Sequence, residues 1–135
     1  MSRFDGKTVI VTGAAGALGT SMVRGFAAEG ARVVAGARRE EQVTDLLAEL
    51  GDRATFVALD VRDENAWAAA VRIAEQRFAR PVSILVNNAA RAIVGTTMSL
   101  TPDEFREVID TNLVGTYLGM RAAVASMQRG APARS

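Results

Sequence analysis

The sequence contains no cysteine and no histidine. It therefore holds no disulfide, no thiol nucleophile and no Cys/His zinc site, and every mechanism that runs on an imidazole is excluded. Lysine is almost as scarce: fifteen arginines stand against a single lysine, Lys7, a bias that fits a GC-rich genome. Chemistry that needs a lysine has one candidate, at the extreme N-terminus. The net charge of +1 is too small for a nucleic-acid-binding footprint. No apolar run approaches the ~18 residues of a membrane span, and MSRFDGK lacks the apolar centre of a signal peptide. What remains is ordinary globular composition, 49% hydrophobic and 23% charged over 135 residues, enough for one domain with a core. The expectation is a soluble, cytoplasmic protein that engages neither nucleic acid nor membrane.

The pattern along the chain alternates between two periods. Residues 7–12 (KTVIVT) are a β-branched apolar run and predict a buried strand. Residues 17–29 carry Leu18, Met22 and Phe26 at four-residue spacing, a helix stripe, and Gly30 follows as a C-cap. Residues 31–36 read as a second strand, 40–50 as a helix with Val43, Leu46, Leu47 and Leu50 on one face, and 54–59 as a third strand. Asp63 can cap a helix over 64–78 anchored by Trp67, Val71 and Phe78; Pro81 ends it, and 82–86 (VSILV) form a fourth strand. After a polar loop, Thr101-Pro102-Asp103-Glu104 combines an N-cap, a proline at the first helical position and a capping-box glutamate. That helix runs to about Met127, leaving 1–129 as one domain and 130–135 as an irregular tail. Four strand–helix units predict an α/β fold: a doubly wound parallel sheet in the order 3-2-1-4, helices on both faces and a ligand crevice between strands 1 and 4.

The first strand-to-helix turn carries the chemistry. It reads Thr12-Gly13-Ala14-Ala15-Gly16-Ala17-Leu18-Gly19. Glycines let the backbone approach a ligand without Cβ clashes, and the helix start behind them offers free N–H groups to a pyrophosphate. Its position after a first strand and before an amphipathic helix favours dinucleotide binding over a merely tight packing turn.

Four stretches together resemble the short-chain dehydrogenase/reductase family over residues 5 to about 129. They are the glycine turn; Asp60-Val61 after strand three; Asn87-Asn88-Ala89-Ala90 after strand four, similar to the family's Asn-Asn-Ala-Gly; and Asn112 within IDTNLVGTY. The resemblance implies a Rossmann-type fold and a bound dinucleotide. It implies a pyrophosphate cradle at Gly13, Ala15, Gly16, Ala17, Leu18 and Gly19, adenine contacts from Asp60 and Val61, further cofactor contacts from Asn87 and Ala89, and an active-site asparagine at Asn112. The structural alternatives are a helix-capping acid at Asp60, turn formers at Asn87 and Asn88, and a local backbone bond from Asn112. Two departures stand out. The glycine spacing is Thr-Gly-x-x-Gly-x-x-Gly, that of the family's extended branch, with Ala17 at the short branch's middle glycine. Ala90 replaces the last glycine of the asparagine motif.

Cofactor choice is read at the end of strand two. An acid there would bind a ribose 2′-OH and select NAD; this chain has Gly36-Ala37-Arg38-Arg39. Two guanidiniums suit a 2′-phosphate, so NADP(H) is expected over NAD(H). Pairing of these arginines with Glu40 and Glu41 is the competing reading.

The family's proton donor is a tyrosine followed four residues later by a lysine, with a serine before them. Here the one tyrosine, Tyr117, is followed at four residues by Arg121. It reads as a packing or interface residue. Two functions stay open: an NADP(H)-dependent oxidoreductase acting on a small carbonyl or alcohol, or a non-catalytic dinucleotide-binding half-domain. A remnant that binds nothing is the blandest alternative. The ending Gly130-Ala131-Pro132-Ala133-Arg134-Ser135 is what GC-rich codons for the family's next glycine-rich strand would yield after loss of one base. A gene shortened by frameshift is the expectation, and its nucleotide sequence decides it. Such a chain would leave Val82–Val86 as an open apolar edge and expose Leu113, Leu118 or Met120, favouring a homodimer or larger assembly.

Overall fold

The computed structural model describes residues 2–132. Its strands are β1 (Thr8–Val11), β2 (Arg32–Ala37), β3 (Ala54–Ala58) and β4 (Ile84–Val86). They form one parallel sheet in the order β3-β2-β1-β4, the order predicted from the sequence. The helices are α1 (Ala17–Ala28), α2 (Thr44–Leu50), α3 (Glu64–Phe78), α4 (Pro102–Ile109) and α5 (Gly115–Gly130). Strand alternation divides the core in two. Val9, Val11, Val33 and Ala35 face α1 and α2, where they meet Val23, Ala27, Leu46 and Leu50. Ile10 and Val34 face α3 and α5, where they meet Trp67, Ala70, Ala74 and Ala123. Central β1 is buried along its whole length, which is why its residues are apolar or threonine without interruption.

Local chemistry explains the helix ends. Asp63 accepts hydrogen bonds from the N–H groups of Asn65 and Ala66 at the start of α3. Thr101 and Glu104 close a reciprocal capping box on α4. Four expectations need correction. Leu18 is 66% exposed, and the buried stripe of α1 is Gly19, Val23 and Ala27, one residue on from the predicted one. The predicted helix over 40–50 is a 3₁₀ turn (Glu40–Gln42) followed by α2. Strand four is only three residues long: before Ile84 the Thr8 N–H goes to the Ser83 hydroxyl instead of a strand carbonyl, and the N–H of buried Val82 is taken by the Ser126 hydroxyl at 2.8 Å. The long last helix is not uniform: a π-helical turn, Asp110–Val114, joins α4 to α5, and Gly115 N–H reaches back five residues to the Asp110 carbonyl. α5 runs on to Gly130; Ala133–Ser135, part of the predicted tail, lie outside the described residues.

β4 is an edge strand, as expected from the sequence. Leu113 and Met120 are exposed, whereas Leu118 packs half-buried against the α3 side of the core. Among the described residues no helix is long and apolar enough to cross a membrane.

Ser126 is the pin between α5, α3 and the start of β4. Its fully buried hydroxyl accepts from Val82 N–H and donates to Glu75 Oε1 at 2.6 Å; Arg129 also pairs with Glu75. Replacing Ser126 with alanine strands a buried N–H. Ser126→Ala is expected to cost about 1–3 kcal/mol in urea unfolding with an unchanged slope. A midpoint equal to that of the unsubstituted chain would refute the role.

Candidate dinucleotide site

The turn after β1 is shaped by three glycines with different duties. Gly13 has φ +64°, a left-handed conformation that favours glycine, and a Cβ there would come within 3.0 Å of Ala89 Cα. A Cβ on Gly19 would overlap the Gly13 carbonyl oxygen, so its hydrogen lets α1 pack onto the turn. Gly16 is different: a Cβ there would meet nothing closer than the Gly13 carbonyl at 3.6 Å. Its bareness serves no neighbour within the protein, and it leaves open the approach to the helix start. That start has no side-chain cap and no acid in its first turn, unlike α3 and α4. The first helical bond runs from Thr20 N–H to the Gly16 carbonyl, and the N–H groups of Ala17, Leu18 and Gly19 have no acceptor among the described residues. Such an end attracts an anion.

A crevice of about 430 Å³ opens beside this turn, at the carboxyl ends of β1, β2, β3 and β4. Of the residues singled out from the sequence, Gly13, Ala15, Gly16, Arg38, Asp60, Val61 and Ala89 line it. Ala17, Leu18 and Gly19 form the first turn of α1 at its side without lining it. Arg39 is outside; its N–H is held by Gln42 Oε1 at 3.1 Å, and Gln42 itself is a wall residue. Among the described residues neither Arg38 nor Arg39 forms an ion pair, so the proposed pairing with Glu40 and Glu41 is not made. Asp60 caps no helix. It is gripped by Arg62 through Nε at 3.0 Å and Nη2 at 2.8 Å. This guanidinium outweighs the opposing effect of burial and, aided by Arg62 N–H and the charges of Arg62 and Arg38, holds the Asp60 carboxyl down to about 2. It is therefore a fixed negative charge at neutral pH.

The two asparagines after β4 part company. Asn88 faces the turn and donates through Nδ2 to the carbonyls of Thr12 (3.1 Å) and Gly13 (3.3 Å). Asn87 points the other way, towards α5, where a Cβ on Gly119 would come within 2.9 Å of its Oδ1. Consecutive side chains leave an extended strand on opposite sides, so only one of the pair can reach the crevice. Asn112 does not line the crevice either. Nor does it bond local backbone: Oδ1 accepts from Arg91 N–H and Nδ2 donates to the Arg91 carbonyl, both at 2.8 Å. The asparagine thus acts as a strand-like partner for the loop after β4, 21 residues away. Arg91, further tied to Glu107 at 3.1 Å, is a wall residue, as are Asn88, Gln42, Ala90 and Thr111. Sequence reasoning passed over these as binding residues. Only Asn88 and Ala90 carried a signal, as members of the asparagine motif.

The features of the crevice match a dinucleotide: a bare glycine at an uncapped helix start, an arginine at the end of β2 without an ion pair among the described residues, and a fixed carboxylate at the end of β3. The model of the short chain dehydrogenase family matches residues 7–134. The chain is 40% identical over 126 residues to the 3-alpha-(or 20-beta)-hydroxysteroid dehydrogenase of Mycobacterium tuberculosis, covering 93% of this chain and 48% of that protein. It is 37% identical to the trans-4-hydroxycyclohexanecarboxylate dehydrogenase of Sinomonas cyclohexanicum, covering 93% and 52%. The crystal structure of a 3-ketoacyl-(acyl-carrier-protein) reductase from Brucella melitensis complexed with NADH superposes with a TM-score of 0.88 at 33% identity, covering 93% of this chain and 52% of that one. The chain belongs to the short-chain dehydrogenase family. It spans about half the length of the curated relatives it matches.

The glycines separate fold from binding. Gly19→Ala is expected to destabilise the protein by several kcal/mol, about the scale of overpacking against backbone. Gly16→Ala is expected to leave the unfolding midpoint almost unchanged while weakening dinucleotide binding about tenfold, read by calorimetry and thermal melts. Equal effects of the two on stability would refute the division.

Proposed function

We propose that this chain is the dinucleotide-binding half of an oxidoreductase that uses NADP(H) in preference to NAD(H) and acts on a small carbonyl or alcohol. The observation that carries the cofactor preference is Arg38. It lines the crevice at the end of β2 without an ion-pair partner among the described residues, and no acid occupies that strand end. A guanidinium there offers paired donors to a 2′-phosphate, whereas a ribose 2′-OH would call for a carboxylate. Ala17, Leu18 and Gly19 offer their N–H groups to the pyrophosphate. Asp60 and Val61 flank the adenine, and Ala89 closes the far wall. Asn112 acts as a positioning residue: by gripping both main-chain groups of Arg91 it sets the wall that the ring end of the cofactor meets. When bound, the nicotinamide supplies or accepts the hydride.

Proton transfer is a separate matter. Within these 135 residues the one tyrosine is Tyr117, 53% exposed on α5, and the one lysine is Lys7, at the opposite end of β1 from the crevice. No Tyr-x-x-x-Lys is present. This favours a second reading, in which these residues bind the dinucleotide without turning over a substrate. A panel of ketones and alcohols with NADPH or NADP separates the two.

Titration with NADPH and NADH, followed by energy transfer from Trp67 to the nicotinamide, is expected to show saturable binding with NADPH preferred. Arg38→Ala should remove most of that preference and leave NADH affinity within a few-fold. Equal affinities in the unsubstituted protein would refute the role of Arg38, and no binding of either would refute the reading as a whole. The open β4 edge and the exposed Leu113, Tyr117, Met120 and Val124 favour association with a second copy. Sedimentation equilibrium at tens of micromolar is expected to give a dimer or larger species; a monomer would count against it.

A further inference from the structure

The end of the sheet opposite the crevice carries a second concave region. Two cavities of about 500 and 370 Å³ open there, and Gly6 and Arg80 line both. Cations stand at the entrances of three strands: Lys7 before β1, Arg32 as the first residue of β2 and Arg80 ahead of β4. Arg32 lines the larger cavity, Lys7 the smaller, and Arg80 their junction. The chain reverses twice to bring these groups together, at Gly6 (φ +77°) and at Ala79 (φ +55°), the C-cap of α3. The Arg80 guanidinium lies against Gly6, where a Cβ would come within 2.5 Å of Nη1.

Charge in this region is not balanced within the fold. Arg77 is loosely paired with Asp52 at 3.6 Å. Among the described residues Lys7, Arg32 and Arg80 form no ion pair, and Asp5 is the one wall carboxylate left unpaired. Three free cations thus face one free acid. Helix ends do not account for them. α1 and α3 both finish at this end of the sheet, but a helix dipole acts only within its last turn. That turn of α3 holds Arg77, whereas Lys7, Arg32 and Arg80 lie outside both helices. The main-chain N–H groups of Gly6 and Arg80 have no acceptor among the described residues. Arginine forks and free main-chain N–H groups are donors suited to phosphoryl or carboxylate oxygens. The region is also concave and of small-molecule size, unlike a flat protein-docking face. We infer that it binds a small multivalent anion, with phosphoryl or carboxylate groups in both cavities and Arg80 bridging them.

This site is independent of the dinucleotide reading, because the two lie at opposite ends of the sheet. The test is a site-resolved titration of the ¹⁵N-labelled protein with inorganic pyrophosphate and, separately, with citrate. Low salt is used because charges this exposed are screened. Saturable shifts are expected at the amides of Gly6, Lys7, Gly30 and Arg80, apart from any at the glycine turn. Tighter binding of pyrophosphate would make the ligand class phosphoryl; tighter binding of citrate would make it carboxylate. Arg80→Gln and Arg32→Gln are each expected to weaken binding about five- to tenfold, the scale of one charge-assisted bond at an exposed site. Arg72→Gln, which removes an exposed arginine of α3 outside both cavities, is the control and should bind as the unsubstituted protein does. The inference is overturned by an absence of saturable shifts at these amides. It is equally overturned if sodium chloride of matched ionic strength reproduces them, or if neither Arg80→Gln nor Arg32→Gln weakens binding.

Discussion

The crevice depends on one hydroxyl. Thr12, 1% exposed at the end of β1, accepts through Oγ1 from the N–H groups of Asn88 and Ala89 at 2.9 Å each and donates to the Val86 carbonyl at 3.3 Å. Asn88 answers by donating to the carbonyls of Thr12 and Gly13. Two parallel strands that are 75 residues apart in the chain are thereby joined beyond the last rung of their ladder. A parallel sheet offers no hairpin at this point, so the two strand-to-helix turns would otherwise be independent loops. Bound together, they form one rigid floor on which the glycine turn and the wall after β4 keep a fixed separation.

The helices are fitted to that floor by close approach. Gly19 brings α1 onto the turn, Gly115 brings α5 onto Val61, and Gly119 receives the ring of Trp67, against which a Cβ would sit 2.6 Å from the nearest ring atom. Trp67 in turn donates Nε1–H to the Val61 carbonyl at 2.9 Å, inside a fully buried site. The wall made by Asp60 and Val61 is therefore held from behind by an indole and in front by an arginine, Arg62. Small residues in the helices set distances, and polar side chains fix the loops between them.

The unit from Pro102 to Gly130 has two roles. Its inner face, through Gly115, Gly119, Ala123 and Ser126, completes the core on one side of the sheet. Its outer face leaves Leu113, Tyr117, Met120 and Val124 in solvent. The π-helical turn in its middle offsets the two halves, so that Asn112 reaches the loop after β4 while Gly115 still packs on Val61. A regular helix would change the angular offset between these residues and could not make both contacts from the same positions.

What the sequence determined by itself is local. Four β-branched runs, the glycine turn, the Asp63 cap and the Thr101–Glu104 box follow from short-range chemistry, and with right-handed crossovers they lead to the order β3-β2-β1-β4. Of the crevice wall, Gly13, Gly16 and Arg38 follow from the same reading, while Asp60 and Ala89 are reached only through the family resemblance. The rest needed long-range contacts. Periodicity alone placed the buried stripe of α1 at Leu18 because larger residues stood there, whereas close approach to the Gly13 carbonyl put Gly19 inside. Asn87 and Asn88 are identical in type, and only the direction in which β4 leaves the sheet decides which of them meets β1. The partner of Asn112 is 21 residues away. Propensity acts over one turn of chain, but a binding site is made of groups brought together across the sheet, and their orientation is decided by packing that no single segment contains.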